Sequence, residues 1–239
     1  MESTKDWSIS VVIPTYNEVG SIIRLLNRVF EVIPDAGILV IDGGSDDGTI
    51  SSLKAHPKFG DRLLLETQKN SGGIGPAYLQ GFASALALGA QKIVQMDADG
   101  SHDPSDIHAL LSQNAHLAIG SRWIDGGKVS GWPLRRHLLS RLANWSSRVT
   151  LVPSVRDSTS GFRAMSRELV SHLTEQGSAP RGFAFQVNNT LLASDLGLTL
   201  VEVPIHFRER TEGVSSISLE NILEAGVWLL KTKSRRLGA

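Results

Sequence analysis

Residues Ser8–Glu18 read SISVVIPTYNE, a β-branched apolar run that stops at Pro14 and opens directly into polar residues. The run is a strand and the proline marks its end. Working outward, Val19–Ile33 carries apolar residues at a spacing near 3.6 and is a helix. Ile38–Ile41 is a second short buried strand, ended by Asp42-Gly43-Gly44-Ser45, and a helix is expected over Asp47 to Ala55. Arg62–Glu66 is a third strand, Ile74–Gly89 an Ala- and Leu-rich helix, and Lys92–Met96 a fourth strand. An acidic loop follows, then a helix beginning at Asp103-Pro104 and a strand over Leu117–Gly120. Strand–helix alternation of this kind predicts an α/β fold: a mostly parallel sheet with helices on both faces.

The second half is less regular. Gly126–Gly131 reads as a loop, Leu134–Leu151 as a long amphipathic helix and Thr159–Met165 as an extended segment. Gly182–Leu196 reads as a helix, Leu198–Phe207 as one strand with Pro204 near its end, and Ile217–Lys231 as a terminal helix. With no internal repeat or low-complexity linker, residues 1–239 are expected to form one domain. That domain carries a helical segment at about 126–156 and a C-terminal amphipathic helix at about 217–236.

Lys plus Arg equals Asp plus Glu at 24 each, so net charge points to no class of partner. Cysteine is absent, which excludes disulfides, thiolate metal sites and cysteine nucleophiles and suits a reducing compartment. Met1–Ser8 has no apolar core, so it is not read as a secretory leader, and no window approaches the roughly 20 apolar residues of a spanning helix.

In open parallel sheets, ligands bind outside the carboxyl ends of the strands. Pro14-Thr15-Tyr16-Asn17-Glu18 stands at the first end, Asp42 to Thr49 at the second, and Asp97-Ala98-Asp99 at the fourth. Crowding carboxylates is costly unless a cation or hydrogen bonds compensate. Asp97 and Asp99 are read as meeting one ion where the strand has ended in a turn, and Gly100 supplies the turn. Mg²⁺ or Mn²⁺ then suits the oxygen ligands and bridges to a diphosphate. Gly73-Ile74-Gly75-Pro76-Ala77 imitates a dinucleotide fingerprint but has Tyr78 in place of the third glycine and does not follow the first strand. It either approaches a phosphate or starts the helix. There is no Gly-x-Ser-x-Gly elbow, and His102 reads as a helix-start residue rather than a ligand.

Taken together, seven blocks carry a resemblance. They are Pro14-Thr15-Tyr16-Asn17-Glu18, Asp42 to Thr49, Met96-Asp97-Ala98-Asp99, Gly120-Ser121-Arg122, Ser160-Gly161-Phe162-Arg163, Gly182 to Gln186 and Glu202 to Phe207. In this order and spacing the chain resembles, over roughly residues 8 to 218, the dolichol-phosphate mannose synthases (polyprenol monophosphomannose synthases), which are inverting GT-A glycosyltransferases. The resemblance implies a nucleotide-sugar donor, GDP-mannose favoured, and a polyprenyl phosphate acceptor. Pro14, Tyr16 and Glu18, with Ile41 and Gly43 beside them, would line the base and ribose. Asp97, Ala98 and Asp99 would hold diphosphate and metal, with Ser101 in the metal shell where some members carry glutamine. Arg122 and Arg210 would clamp phosphate, arginine's planar fork being suited to it.

The departures are Gly43 in place of a second aspartate, Ser101, Asn188 in place of an acidic residue, and Ser216 in place of a lysine. A UDP-sugar-dependent family-two enzyme acting on a polyprenyl phosphate or another acceptor is the nearest alternative, and a non-catalytic nucleotide-sugar binding module the alternative of another class. The chain lacks the Gln-x-x-Arg-Trp motif of processive synthases. Between Asp125 and Asp157 there is no acid, while Lys128, Arg135, Arg136, Arg141, Arg148 and Arg156 interleave with Trp132, Leu134, Leu138, Leu139, Leu142 and Trp145. From the pattern alone this is either a core-facing helix with a solvated basic side or a membrane-surface helix. The resemblance favours peripheral contact at the cytoplasmic membrane face, direct or through a separate membrane protein. Nucleic acid is not expected as a partner, because the sheet rim is acidic.

Overall fold

The computed structural model describes residues 7–68, 73–177, 180, 182, 184–209 and 226–234. Four strands, β1 (Ile9–Thr15), β2 (Gly37–Asp42), β3 (Leu63–Thr67) and β4 (Lys92–Gln95), pair in parallel in the order β3-β2-β1-β4. They alternate with α1 (Ile22–Val32), α2 (Thr49–Lys54) and α3 (Ile74–Ala87), and a 3₁₀ turn at Pro104–Asp106 leads into α4 (Ile107–Leu111). Neighbouring residues of the first strands serve opposite faces. Val11, Ile13, Ile38 and Val40 pack with Leu25, Leu26 and Val29 of α1. Val12, Leu39 and Ile41 pack with Tyr78, Phe82 and Ala85 of α3. A strand covered on both sides has no polar position to fill, hence the unbroken apolar runs.

The remaining elements are β5 (Leu117–Ser121), β6 (Lys128–Ser130), α5 (Leu134–Thr150), β7 (Arg163–Ser166), α6 (Arg167–Glu175), α7 (Ala184–Asp195), β8 (Leu200–Pro204) and β9 (His206–Arg208). The large sheet continues as β4-β7-β5-β8. β7 lies antiparallel between β4 and β5, so the sheet is mostly rather than wholly parallel. The consequence for the site is large: the loop from α5 into β7 arrives beside the carboxyl end of β4.

The described elements depart from the sequence reading in the second half of the chain. The single strand expected over Leu198–Phe207 is two strands in two sheets. β8 pairs with β5, while β9 pairs with β6 inside the segment read as a loop. The change of sheet falls at Ile205, whose N–H donates to Ser121 O while its carbonyl accepts from Lys128 N. α6 was not foreseen, although Ser166 caps it by accepting from Leu169 N and Glu168 sits in its first turn. Of the terminal helix, residues 226–234 are helical, with Trp228 and Leu229 packed on Leu151, Val152, Val187 and Leu191; residues 217–225, 235 and 236 lie outside the described residues.

Candidate active site

The loops after β1 and β2 are stitched to one another. Asp42 is fully buried, and its carboxylate accepts from Gly44 N (2.9 Å), Ser45 N (2.8 Å) and Ser45 Oγ (2.6 Å). Ser45 Oγ in turn accepts from the N–H of Asn17, a residue at φ 55°. Asp47 accepts from Val19 N, Thr49 N and Thr49 Oγ1. Burial pushes the Asp47 carboxyl up, but these hydrogen bonds outweigh it and hold the group below its usual range. Two of the rim acids are thus committed to shaping the loops rather than to a cation.

Tyr16 projects from this scaffold, 63% exposed, with its ring beside Gly43. Pro14 and Glu18 are half-buried next to it, and Glu18 Oε2 accepts from Ser21 Oγ at 2.7 Å. Ile41 needs a correction: its side chain is fully buried beneath α3, so it supports the pocket floor from the core and lines no open surface.

The Asp97–Asp99 segment has left the strand, since β4 ends at Gln95, residues 98 and 99 form a turn, and Gly100 takes φ 74°. Three groups hold this turn. Tyr78 Oη, fully buried, donates to Asp97 Oδ1 at 2.7 Å. The Asp97 N–H donates to His102 Nδ1 at 3.2 Å, and Ser101 N donates to Asp99 Oδ1 at 3.0 Å. Burial, then the charges of Asp97 and Asp99, pushes the Tyr78 phenol well up, so it stays a donor. His102 is neither a ligand nor a helix-start residue. Its ring is buried, stacks on Phe162 with centroids 4.8 Å apart and meets Phe207 edge-on. Burial lowers its pKa against the pull of the two aspartates, and the neutral ring accepts the Asp97 amide.

Hard oxygen donors gather here. The Asp97 and Asp99 carboxylates are half-buried, and Ser101 Oγ is buried with no hydrogen-bond partner among the described residues. No group of three or more His, Cys, Asp or Glu residues that could hold an ion occurs among the described residues. A donor set of this size fits Mg²⁺ or Mn²⁺, which typically take one or two carboxylates and complete their shell with substrate phosphates and water.

The glycine-rich imitation at Gly73–Ala77 begins α3. A Cβ on Gly75 would stand 2.5 Å from Pro180 O, so that glycine serves chain packing.

Arg122 is built in. Nε and Nη2 form a bidentate pair with Asp157 at 2.8 and 2.6 Å, and Nη2 also donates to Thr159 Oγ1. The same Asp157, fully buried, accepts from Arg122 N and is positioned through its own N–H by Glu202 Oε1. Arg122 lies over the rings of Trp132 and Phe207 at 5.4 and 5.5 Å. Arg208 N donates to Ser101 O, bringing β9 beside the aspartate turn; Arg210, expected to complete a phosphate clamp, lies outside the described residues, as does Ser216.

The sequence reading passed over Tyr78, Asp157 and Arg163. Arg163 is fully buried and donates to the carbonyls of Ser158, Ser160 and Gln186 and to Thr190 Oγ1. Burial lowers its guanidinium to about 9, still protonated at neutral pH. A buried arginine spending its donors on main-chain carbonyls fixes the α5–β7 loop.

Comparison with known proteins now decides the family: the model of glycosyl transferase family 2 matches residues 10–174. The chain belongs to glycosyl transferase family 2. It is 42% identical over 222 residues to polyprenol monophosphomannose synthase of Mycolicibacterium smegmatis, covering 90% of this chain and 83% of that protein. It is 36% identical over 214 residues to undecaprenyl-phosphate mannosyltransferase of Micrococcus luteus, covering 88% and 87%. Glucosyl-3-phosphoglycerate synthase of Mycobacterium tuberculosis, crystallised with Mn²⁺, UDP and phosphoglyceric acid, superposes at TM-score 0.68 with 20% identity, covering 97% of this chain and 80% of that one. At that identity the likeness shows a shared fold, the GT-A arrangement.

In this glycosyltransferase, α5 is turned inside out. Leu134, Leu138, Leu142, Trp145 and Val149 form one stripe, each between 57% and 73% exposed. The buried side is polar: Asn144 Nδ2 donates to Thr159 Oγ1, Asn144 Oδ1 accepts from Thr159 N, and Ser158 Oγ donates to Ser147 Oγ. The core-facing alternative for this helix is thereby excluded. No described helix is long and apolar enough to cross a membrane.

Proposed function

We propose that this glycosyltransferase transfers mannose from GDP-mannose to a polyprenyl phosphate, with inversion, while resting on the cytoplasmic face of a membrane through α5. The observation that carries the reading is the Asp97–Asp99 turn at the carboxyl edge of the sheet, held from behind by Tyr78 and His102. The names of the two relatives support the sugar and the acceptor class.

Asp97, Asp99 and Ser101 would hold Mg²⁺ or Mn²⁺, which supplies Lewis-acid stabilisation of the leaving nucleoside diphosphate. Tyr16 and Gly43, with Pro14 and Glu18, would receive the nucleoside, and Arg122 and Arg210 the phosphates. A lipid phosphate is anionic at neutral pH, so its oxygen attacks the anomeric carbon without a protein base. The rate then rests on stabilising charge that develops on the leaving group, a task for preorganised groups in a shielded site. The exposed apolar stripe of α5, flanked by arginines, suits an interfacial position in which the acceptor phosphate reaches the sheet edge from the bilayer.

The test is transfer of labelled sugar from GDP-mannose, or from UDP-glucose, to a polyprenyl phosphate, with Mn²⁺ and with a chelator. Metal-dependent mannosyl transfer that is abolished in the folded Asp99→Ala variant is the expected result. Transfer from UDP-glucose alone, or undiminished transfer by Asp99→Ala, overturns the proposal.

A further inference from the structure

A cleft of about 280 Å³ opens on the outer flank of α5, lined by Trp123, Arg141, Asn144, Trp145, Arg148 and Arg156. Its three arginines have no ion-pair partner among the described residues. Arg141 lies over the Trp123 ring at 5.0 Å, and Arg148 Nε donates to Pro153 O, which keep two of the guanidinium groups in place. The nearby carboxylates are turned inward: Asp157 is fully buried against Arg122, and Glu202 accepts from the backbone N–H groups of Arg156 and Asp157. Three cations around one open hollow repel one another, and an anion relieves that cost.

We infer that this cleft is a binding site for the phosphate headgroup of an anionic bilayer lipid, separate from the acceptor. The commitment to a lipid rests on Trp145, which both lines the cleft and belongs to the exposed apolar stripe with Leu138 and Leu142. A headgroup seated between the arginines leaves its glycerol and chains lying along that stripe. The cleft is also wired to the active site, because Asn144 in its wall donates to Thr159 Oγ1, which accepts from Arg122 Nη2 as well. The inference rests on the membrane reading of α5 made above.

The probe is a short-chain phosphatidylglycerol kept below its micelle concentration, titrated calorimetrically into the full-length protein, so that diffuse attraction to a charged surface plays no part. Saturable binding is expected, weakened about tenfold or more in Arg148→Glu and in Arg156→Glu, a loss typical of a hydrogen bond to a charged group. Binding by Arg135→Glu, whose arginine lies on α5 but outside the cleft, stays at the wild-type level. Circular dichroism melts establish that the variants are folded. No saturable binding by the wild type, an equal loss in Arg135→Glu, or equal affinity for inorganic phosphate overturns the inference. So does selective loss of binding to neutral vesicles that carry polyprenyl phosphate, which would make the cleft the acceptor's own site. Flotation of the wild type with anionic vesicles tests the underlying membrane reading separately: failure to float while short-chain binding persists removes that reading and leaves the cleft.

Discussion

The Tyr78 hydroxyl and the Asp97 carboxylate meet at 2.7 Å, a buried phenol on α3 aimed at the acid two residues past the end of β4. A helix on one face of the sheet thus positions an acid at its edge. Tyr78→Phe keeps the ring, which clusters with Phe82 and Phe185 at centroid distances of 5.8 Å from each, and removes only the hydrogen bond. Bonds to charged groups contribute about 1.5–3 kcal/mol, so transfer is expected to fall roughly tenfold to a hundredfold. A rise in the Mn²⁺ concentration for half-maximal rate would assign the loss to Asp97; a variant as active as wild type would show the hydroxyl to be idle.

Gly43 tests the proposed nucleoside pocket. A Cβ placed there meets Thr15 O and the Tyr16 ring at 3.5 Å and Gln68 Oε1 at 3.6 Å, all ordinary contacts. Gly43→Asp is therefore expected to fold normally, and its carboxylate to accept from ribose hydroxyls. Tighter GDP binding, about tenfold, is the expected outcome for one charge-assisted bond. Thermal-shift titration with GDP measures it.

Asp157 and Arg122 are a different case, since both charges are buried. Removing one partner strands the other, at a cost of about 3–5 kcal/mol. Asp157→Ala should accordingly lower the urea midpoint sharply, whereas Asp99→Ala, in a half-buried turn, should shift it little. Similar midpoints for the two variants would contradict the buried-pair account.

The pH dependence of stability follows from His56. Burial, then the charge of Lys58, lowers its pKa, and its Nδ1 accepts from Lys58 N while Nε2 pairs with Asn27 Oδ1. A folded-state value below the unfolded one means that the unfolded chain binds the proton first. Stability from this group is present above the ordinary histidine pKa, about 6.5, and is lost as pH falls towards the depressed folded value. Melting temperatures measured on either side of that window should fall less in His56→Gln than in the wild type. Depressed His102 contributes with the same sign in both proteins and so cancels.

The parallel half of the sheet was legible because burial on both faces leaves a plain signature, as in Val11 to Ile13 and Ile38 to Ile41. The Asp97–Asp99 turn was legible because Gly100 announced it. β7 was legible only as part of the extended segment over Thr159–Met165, for an antiparallel strand of four residues has no local mark of its direction. Tyr78 was read only as the residue in place of a third glycine and Arg163 only as one member of a motif, since sequence spacing does not record which carbonyl or carboxylate a buried donor faces. Asp157 escaped notice because its partner stands 35 positions away. The orientation of α5 was open on pattern alone: its apolar and polar sides were visible, and only its hydrogen bonds to Ser158 and Thr159 say which one points inward.

That orientation has a consequence for how the molecule can change. A helix fastened by directional bonds from asparagine and serine does not depend on its exposed apolar stripe to keep its register. Its exposed side can then change residue by residue while the sheet that carries the Asp97–Asp99 turn stays as it is.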